Sequence, residues 1–93
     1  NMDSKTAPKS EAAAAFADVN AKMHKDMTIE FTGDADVDFM KGMIPHHQGA
    51  IDMAQVLLKH GKDAETRKLA EEIIAAQEKE IAFMKAWLAK RGQ

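Results

Sequence analysis

The sequence predicts an all-α protein built from three helices, and three observations lead to that fold class. Apolar residues recur at helical spacing in three segments of the 93-residue chain. Each segment follows a residue that can cap a helix N-terminus, and glycine follows the last two. Only residues 28–33 combine β-branched and aromatic side chains, and one strand alone has no partner for a sheet. The chain is long enough for one small domain, which we place at residues 10–93.

The first helix is predicted to begin after Ser10 and to end near Met27. Ser10 can accept a hydrogen bond from a free backbone N–H of the first turn, and the apolar period starts directly behind it. Residues 1–9 show no such period, so we expect them to form a flexible lead-in. Residues 28–33 are expected to form an extended connection or a single turn before the second helix.

The second helix is predicted to start at Asp34 or Asp36, since either carboxylate can cap it, and to stop at Gly61. Pro45 lies inside this segment and removes one backbone hydrogen-bond donor. Two outcomes are therefore expected for this point of the chain. The helix kinks between Gly42 and Pro45, or a new helix begins with Pro45 at its first position.

The third helix is predicted to begin after Asp63 and to end before Gly92, and it forms a hairpin with the second helix. Met84 lies in its apolar stripe and is expected to pack in the core. Gln77 lies in the same stripe, so its amide needs a buried partner, either helix backbone or a histidine ring. The charged residues fall mostly outside the stripe and are expected to face solvent.

Composition excludes several classes of function. The 13 Lys and Arg are interspersed with 15 Asp and Glu for a net charge of −2, so a nucleic-acid interface is not expected. Apolar runs are too short for a membrane span, which predicts a soluble protein. The absence of Cys excludes disulfides, thiolate zinc sites and iron–sulfur clusters. With no serine in the helical segments beyond Ser10, no glycine-rich phosphate loop and no His-Glu-x-x-His motif, we expect no enzymatic activity.

Methionine and histidine carry the functional signal. The chain has seven Met and four His, and most of them cluster on the first two helices. At about 100° per residue, Met40, Met43 and His47 project within about 60° of one another, while His46 and Met53 share a flanking direction. Two neighbouring groups of metal ligands are therefore predicted. The candidate ligands are Met23, His24, Met27, Met40, Met43, His46, His47 and Met53.

These residue types favour soft metal ions. Thioether sulfur is a soft neutral ligand that selects Cu(I), and by the same argument Ag(I), over Mg²⁺ or Ca²⁺. Imidazole binds copper in either oxidation state, so Cu(II) is expected where a histidine meets a carboxylate. Methionine cannot be lost to disulfide formation, which favours a periplasmic or extracellular location. The alternative is that these methionines only pack in a core, as methionine on a helix stripe commonly does.

The most specific motif of the chain runs from Asp36-Val37-Asp38-Phe39-Met40 through Met43-Ile44-Pro45-His46-His47-Gln48-Gly49-Ala50-Ile51-Asp52-Met53-Ala54. This segment closely resembles DUF305, a family of domains of unknown function that includes CopM-like periplasmic copper-binding proteins. The resemblance continues at Ile74, Gln77, Glu80-Ile81, Met84 and Trp87-Leu88, and covers residues 34–92. It implies a ferritin-like helical fold and binding of copper or silver by methionine and histidine. The ligands it implies are Met40, Met43, His46, His47 and Met53, whereas Met23, His24 and Met27 rest on the residue pattern alone.

These observations predict a protein that binds Cu(I) or Ag(I) for sequestration, buffering or resistance. A helical interaction module and a copper chaperone are the alternatives. Three helices are fewer than a complete ferritin-like bundle contains, so a homodimer is expected to complete it.

Overall fold

A computed structural model describes residues 10–93, which form three α-helices and contain no strand. The helices are α1 (Glu11–Met27), α2 (Ala35–His60) and α3 (Ala64–Ala89). The all-α prediction and the order of its elements are confirmed. The lead-in predicted for residues 1–9 lies outside the described residues.

Each helix begins at a predicted cap. The Ser10 hydroxyl accepts the N–H of Ala13 at 3.1 Å, and the carboxylates of Asp34 and Asp63 accept N–H groups in the first turns of α2 and α3. Of the two caps considered for α2, Asp34 is the correct one. These side chains replace hydrogen bonds that the first turn cannot make within the helix.

The helix α2 continues through Pro45, so the alternative in which a new helix starts there is wrong. At its end, Gly61 has φ −78° and ψ 154°, which is extended backbone and not the left-handed conformation common after helices. Glycine is needed for a different reason. A Cβ at this position would lie 2.7 Å from the carbonyl oxygen of Leu57.

The connection between α1 and α2 is neither helix nor strand, and Asp38 fixes its C-terminal end. The Asp38 carboxylate accepts the N–H of Thr32 at 2.8 Å, the hydroxyl of Thr32 at 2.9 Å and the N–H of Gly33 at 3.0 Å. Gly33 has φ 95°, a conformation that glycine adopts easily. The hydrogen bond from the Thr32 backbone is the largest cause that lowers the pKa of Asp38 below its ordinary 3.8.

The three helices lie side by side with α2 in the middle. Within residues 10–93, α1 and α3 each pack against α2, while no Cα atom of α1 comes within 8 Å of α3. The Cα atoms span 47 × 33 × 14 Å, so the arrangement is an open layer that is much broader than it is thick. Half of a larger bundle would have this shape.

The core lies between α2 and α3. It consists of Ile51, Ile81 and Met84, with partly buried apolar side chains around it. Met84 is 5% exposed, which confirms the packing predicted for it. The helix α1 contains no buried residue. None of the described helices is long and apolar enough to cross a membrane.

Candidate metal site

Met40, Met43 and His47 line a single cleft of about 360 Å³ between α2 and α3. Their spacing of three and four residues places them on one side of α2, where α3 runs antiparallel to it. Phe39 also belongs to the α2 wall, and the opposite wall comes from α3. The other lining residues are Phe39, Lys79, Glu80, Phe83 and Met84.

The His47 ring is held from two directions. Its Nδ1–H donates to the carbonyl oxygen of Met43 at 2.9 Å, since a carbonyl can only accept. Its Nε2 meets the carboxylate of Glu80 on α3. The His47 side chain is only 11% exposed, whereas that of Glu80 is 58% exposed. Both nitrogens therefore fix the ring within the cleft, and a metal ion can reach Nε2 only where it displaces the Glu80 carboxylate.

Glu80 and Met84 are cleft residues that the ligand predictions did not include. The hydrogen-bond partner of the His47 ring on α3 is Glu80, whereas Gln77 had been considered for that role. The contact between His47 and Glu80 could have been predicted from the helical hairpin. His47 and Glu80 lie at nearly equal distances along the chain from Asp63, so antiparallel pairing brings them opposite each other.

A second cleft adjoins the first at the C-terminal end of α1. Met27 and His46 line it, together with Met43, which also lines the first cleft. His46 is exposed. Five candidate ligands are thus grouped around the N-terminal half of α2, and they are Met27, Met40, Met43, His46 and His47.

Three candidate ligands lie elsewhere. Met23 packs its sulfur against the bare Cα of Gly49, and His24 is exposed on α1. Met53 lines an apolar groove that also contains Leu69, and it is therefore separated from His46, with which it was grouped by helical angle. Their spacing of seven residues corresponds to about 10 Å along the helix axis, which a shared direction does not reduce.

The donors available in the first cleft are three thioethers, one imidazole and the Glu80 carboxylate. Within residues 10–93, no three His, Asp or Glu side chains come together as a metal site. The sulfurs of Met40 and Met43, together with His47 Nε2 once it is released from Glu80, would form a donor set suited to a soft monovalent ion.

The chain is similar to an uncharacterized protein of Acanthamoeba polyphaga mimivirus. The two are 39% identical over 56 residues, which cover 60% of this chain and 37% of the viral protein. The chain thus spans little more than a third of the length of that curated relative.

A family model described as "Domain of unknown function (DUF305)" matches residues 36–93. The match includes α2 from its first turn and all of α3, and with them both walls of the first cleft. It extends over more than half of the sequence. The chain therefore belongs to the DUF305 family.

Proposed function

We propose that this protein binds Cu(I) or Ag(I) in the cleft between α2 and α3 and serves to sequester or buffer the metal, or to confer resistance to it. The observation that carries the proposal is the convergence of Met40, Met43 and His47 on one cleft. The metal is cargo, and the chain acts on it by binding alone. Met27 and His46, across Met43 in the adjoining cleft, offer a neighbouring pair of the same donor types.

The donor chemistry favours these ions over others. Two neutral thioethers stabilise a soft monovalent cation and add no charge, so they discriminate against hard divalent ions. The carboxylate of Glu80 beside His47 offers an additional hard ligand, which suits Cu(II) after oxidation. The expected order of affinity at this cleft is therefore Cu(I) and Ag(I) above Cu(II), with Mg²⁺ and Ca²⁺ far weaker.

A location outside the cytoplasm is part of the same proposal. A metal site without thiolates keeps its ligands where thiols are oxidised. The similarity to CopM-like periplasmic proteins that we inferred from the sequence agrees with this location. A homodimer also belongs to the proposal, because three amphipathic helices in one layer lack a second layer to cover them.

The test is an anaerobic Cu(I) titration against a chromogenic chelator. We expect the wild-type protein to withdraw Cu(I) from the chelator. Replacing Met40 and Met43 by Leu keeps the apolar volume and removes both sulfurs, so it should weaken the affinity at least tenfold. His47→Ala combined with Met43→Leu should have a similar effect. Met53→Leu, in a different groove, is the matched control and should leave the affinity unchanged.

Two results would contradict the proposal. If the wild-type protein cannot compete for Cu(I) at all, the methionines serve packing alone and the interaction-module alternative gains support. If Met53→Leu weakens binding as much as the Met40 and Met43 replacements do, the metal lies outside the cleft.

A further inference from the structure

Large apolar side chains are exposed along one side of the helix layer. Their exposed fractions are 74% for Phe31, 60% for Phe39, 42% for Met53, 54% for Leu69 and 64% for Phe83. We call the surface formed by these five residues the apolar face. At 150–250 Å² for each aromatic side chain, its three phenylalanines alone expose about 400 Å².

The four helical residues share one side of the α2–α3 hairpin because of helical spacing and shared grooves, and Phe31 lines the second cleft together with Phe39. Phe39 and Met53 project from α2 within about 40° of each other, as do Leu69 and Phe83 from α3. Phe39 and Phe83 line the metal cleft from its two walls, and Met53 and Leu69 line the neighbouring apolar groove. The apolar face therefore extends along most of the α2–α3 hairpin.

The opposite side of the layer is polar. Between α1 and α2 it carries a groove whose charged and polar lining residues are Asp18, Lys22, Asp52, Gln55, Lys59 and His60. On α2, Gln55 and Lys59 point about 160° away from Phe39 around the helix axis. The layer is thus amphipathic as a whole, which is the pattern expected of one half of a two-layer structure.

The dimensions fit a second copy of the same chain. A broad side of about 47 × 33 Å provides roughly 1,500 Å² in projection, and a stable interface needs about 800 Å² per partner. A twofold dimer requires a surface that is complementary to itself. A flat apolar face satisfies this condition, and the exposed Lys79 and Glu80, which line the cleft within that face, supply one charge of each sign; Glu80 contacts His47 but its side chain is still 58% exposed.

We propose that the apolar face is the interface of a twofold homodimer and that the second copy closes the metal cleft. Phe39 and Phe83 flank the cleft and belong to the apolar face, so a partner seated on that face covers the cleft opening. The dimer interface follows from the apolar face alone, whereas closure over a metal ion rests on the proposed Cu(I) binding. Two layers then enclose one core, and bound metal lies between them.

Multi-angle light scattering on the full chain tests the interface. The wild-type protein should have a mass of about 20 kDa, twice the 10.2 kDa of one chain, at micromolar concentration. Leu69→Glu introduces a charge on the apolar face away from the metal cleft and should give a monomer. Gln55→Glu adds the same charge on the polar side and should remain a dimer. Circular dichroism checks that each variant keeps its helices, and Phe83→Lys is a second disrupting variant.

The rate of Cu(I) transfer from the protein to a chelator tests whether the second copy closes the metal cleft. The monomeric Leu69→Glu variant should lose Cu(I) at least several times faster than the wild-type protein, since its cleft stays open. A wild-type monomer, or a monomer that co-sediments with phosphatidylglycerol vesicles, would overturn the interface. If dimer and monomer transfer Cu(I) to the chelator at equal rates, the second copy does not close the metal cleft, and the proposed interface is unaffected. A dimer that binds no Cu(I) leaves the interface standing and contradicts the proposed function.

Discussion

At the residue scale, Asp38 is the side chain with the clearest single structural role. Its carboxylate accepts three hydrogen bonds from Thr32 and Gly33 and fixes the last turn of the connection before α2. These donors favour the ionised carboxylate, which is why the pKa of Asp38 falls below 3.8. The connection carries Phe31, so Asp38 also positions one residue of the apolar face.

We expect Asp38→Asn to lower the melting temperature at pH 7, because an amide cannot accept all three hydrogen bonds as a carboxylate does. Because the pKa of Asp38 is lowered in the folded protein, the stabilisation that its carboxylate provides decreases as the pH falls. The contribution of Asp38 is complete above its ordinary pKa of 3.8 and is lost as the pH falls through the lower folded value. The difference in melting temperature between wild type and variant should therefore shrink below pH 4.

Asp36→Asn is the control, since it removes the same charge from the same helix turn. Thermal unfolding followed by circular dichroism from pH 7 to pH 2.5 measures both variants. Equal losses for the two variants at pH 7 would show that Asp38 acts only through its charge near the helix N-terminus.

Residue spacing identified Met40, Met43 and His47 as a group, because one helix fixes their relative directions. It did not identify Glu80 or Met84 as their neighbours, because that depends on the register between two helices. It also grouped His46 with Met53, since helical angle ignores distance along the axis. Sequence periodicity therefore predicts which side chains on neighbouring turns of one helix share a cleft, and it does not predict their neighbours on another helix.

At the scale of elements, the contact between α1 and α2 depends on glycine. Gly49 is buried, and a Cβ there would overlap the sulfur of Met23 and lie 3.2 Å from its Cγ. Glycine at this position lets the two helices approach each other closely. The helical boundaries themselves followed from the caps, because capping is a local interaction that the sequence determines within a few residues.

Gly49→Ala is expected to lower the free energy of unfolding by about 1–3 kcal/mol, because Met23 must move to make room. Gly42→Ala is the matched control in the same helix. A Cβ at Gly42 meets nothing within 4 Å, so this change should raise the free energy of unfolding by about 0.5–1 kcal/mol. Urea unfolding of the three proteins gives both values. If Gly49→Ala stabilises the protein, the Met23 side chain can move aside at no cost, and its contact with Gly49 does not contribute to the packing of α1 on α2.

At the scale of the whole molecule, the open layer was only partly predictable. Three amphipathic stripes predicted three helices, and the expectation of a dimer came from the resemblance to a ferritin-like family, whose complete bundle contains more helices. The stripes did not reveal that α1 and α3 lie on opposite sides of α2, because the order of helices in space depends on tertiary contacts. Without that order, the position of the apolar face relative to the metal cleft was not accessible.

Bound metal should stabilise the whole molecule. At free Ag(I) one hundred times the dissociation constant, binding adds about 2.7 kcal/mol to the free energy of unfolding. For a domain of this size the melting temperature then rises by roughly 10–20 °C. Circular dichroism with and without Ag(I) measures the shift. Met53→Leu should keep the shift and the Met40 and Met43 replacements should reduce it, whereas a shift that survives those replacements places the metal elsewhere.

The position of α1 at the edge of the layer has a consequence for local unfolding. This helix has no buried residue and packs against α2 through contacts such as Met23 on Gly49. It can therefore detach at a lower free energy than the α2–α3 hairpin, and its amide hydrogens exchange with solvent first. Such opening removes Met27 from the second cleft and leaves Met40, Met43 and His47 in place. The candidate ligands of the two clefts consequently differ in the free energy that is needed to separate them: those of the second cleft are separated when α1 detaches, and those of the first cleft only when the α2–α3 hairpin unfolds.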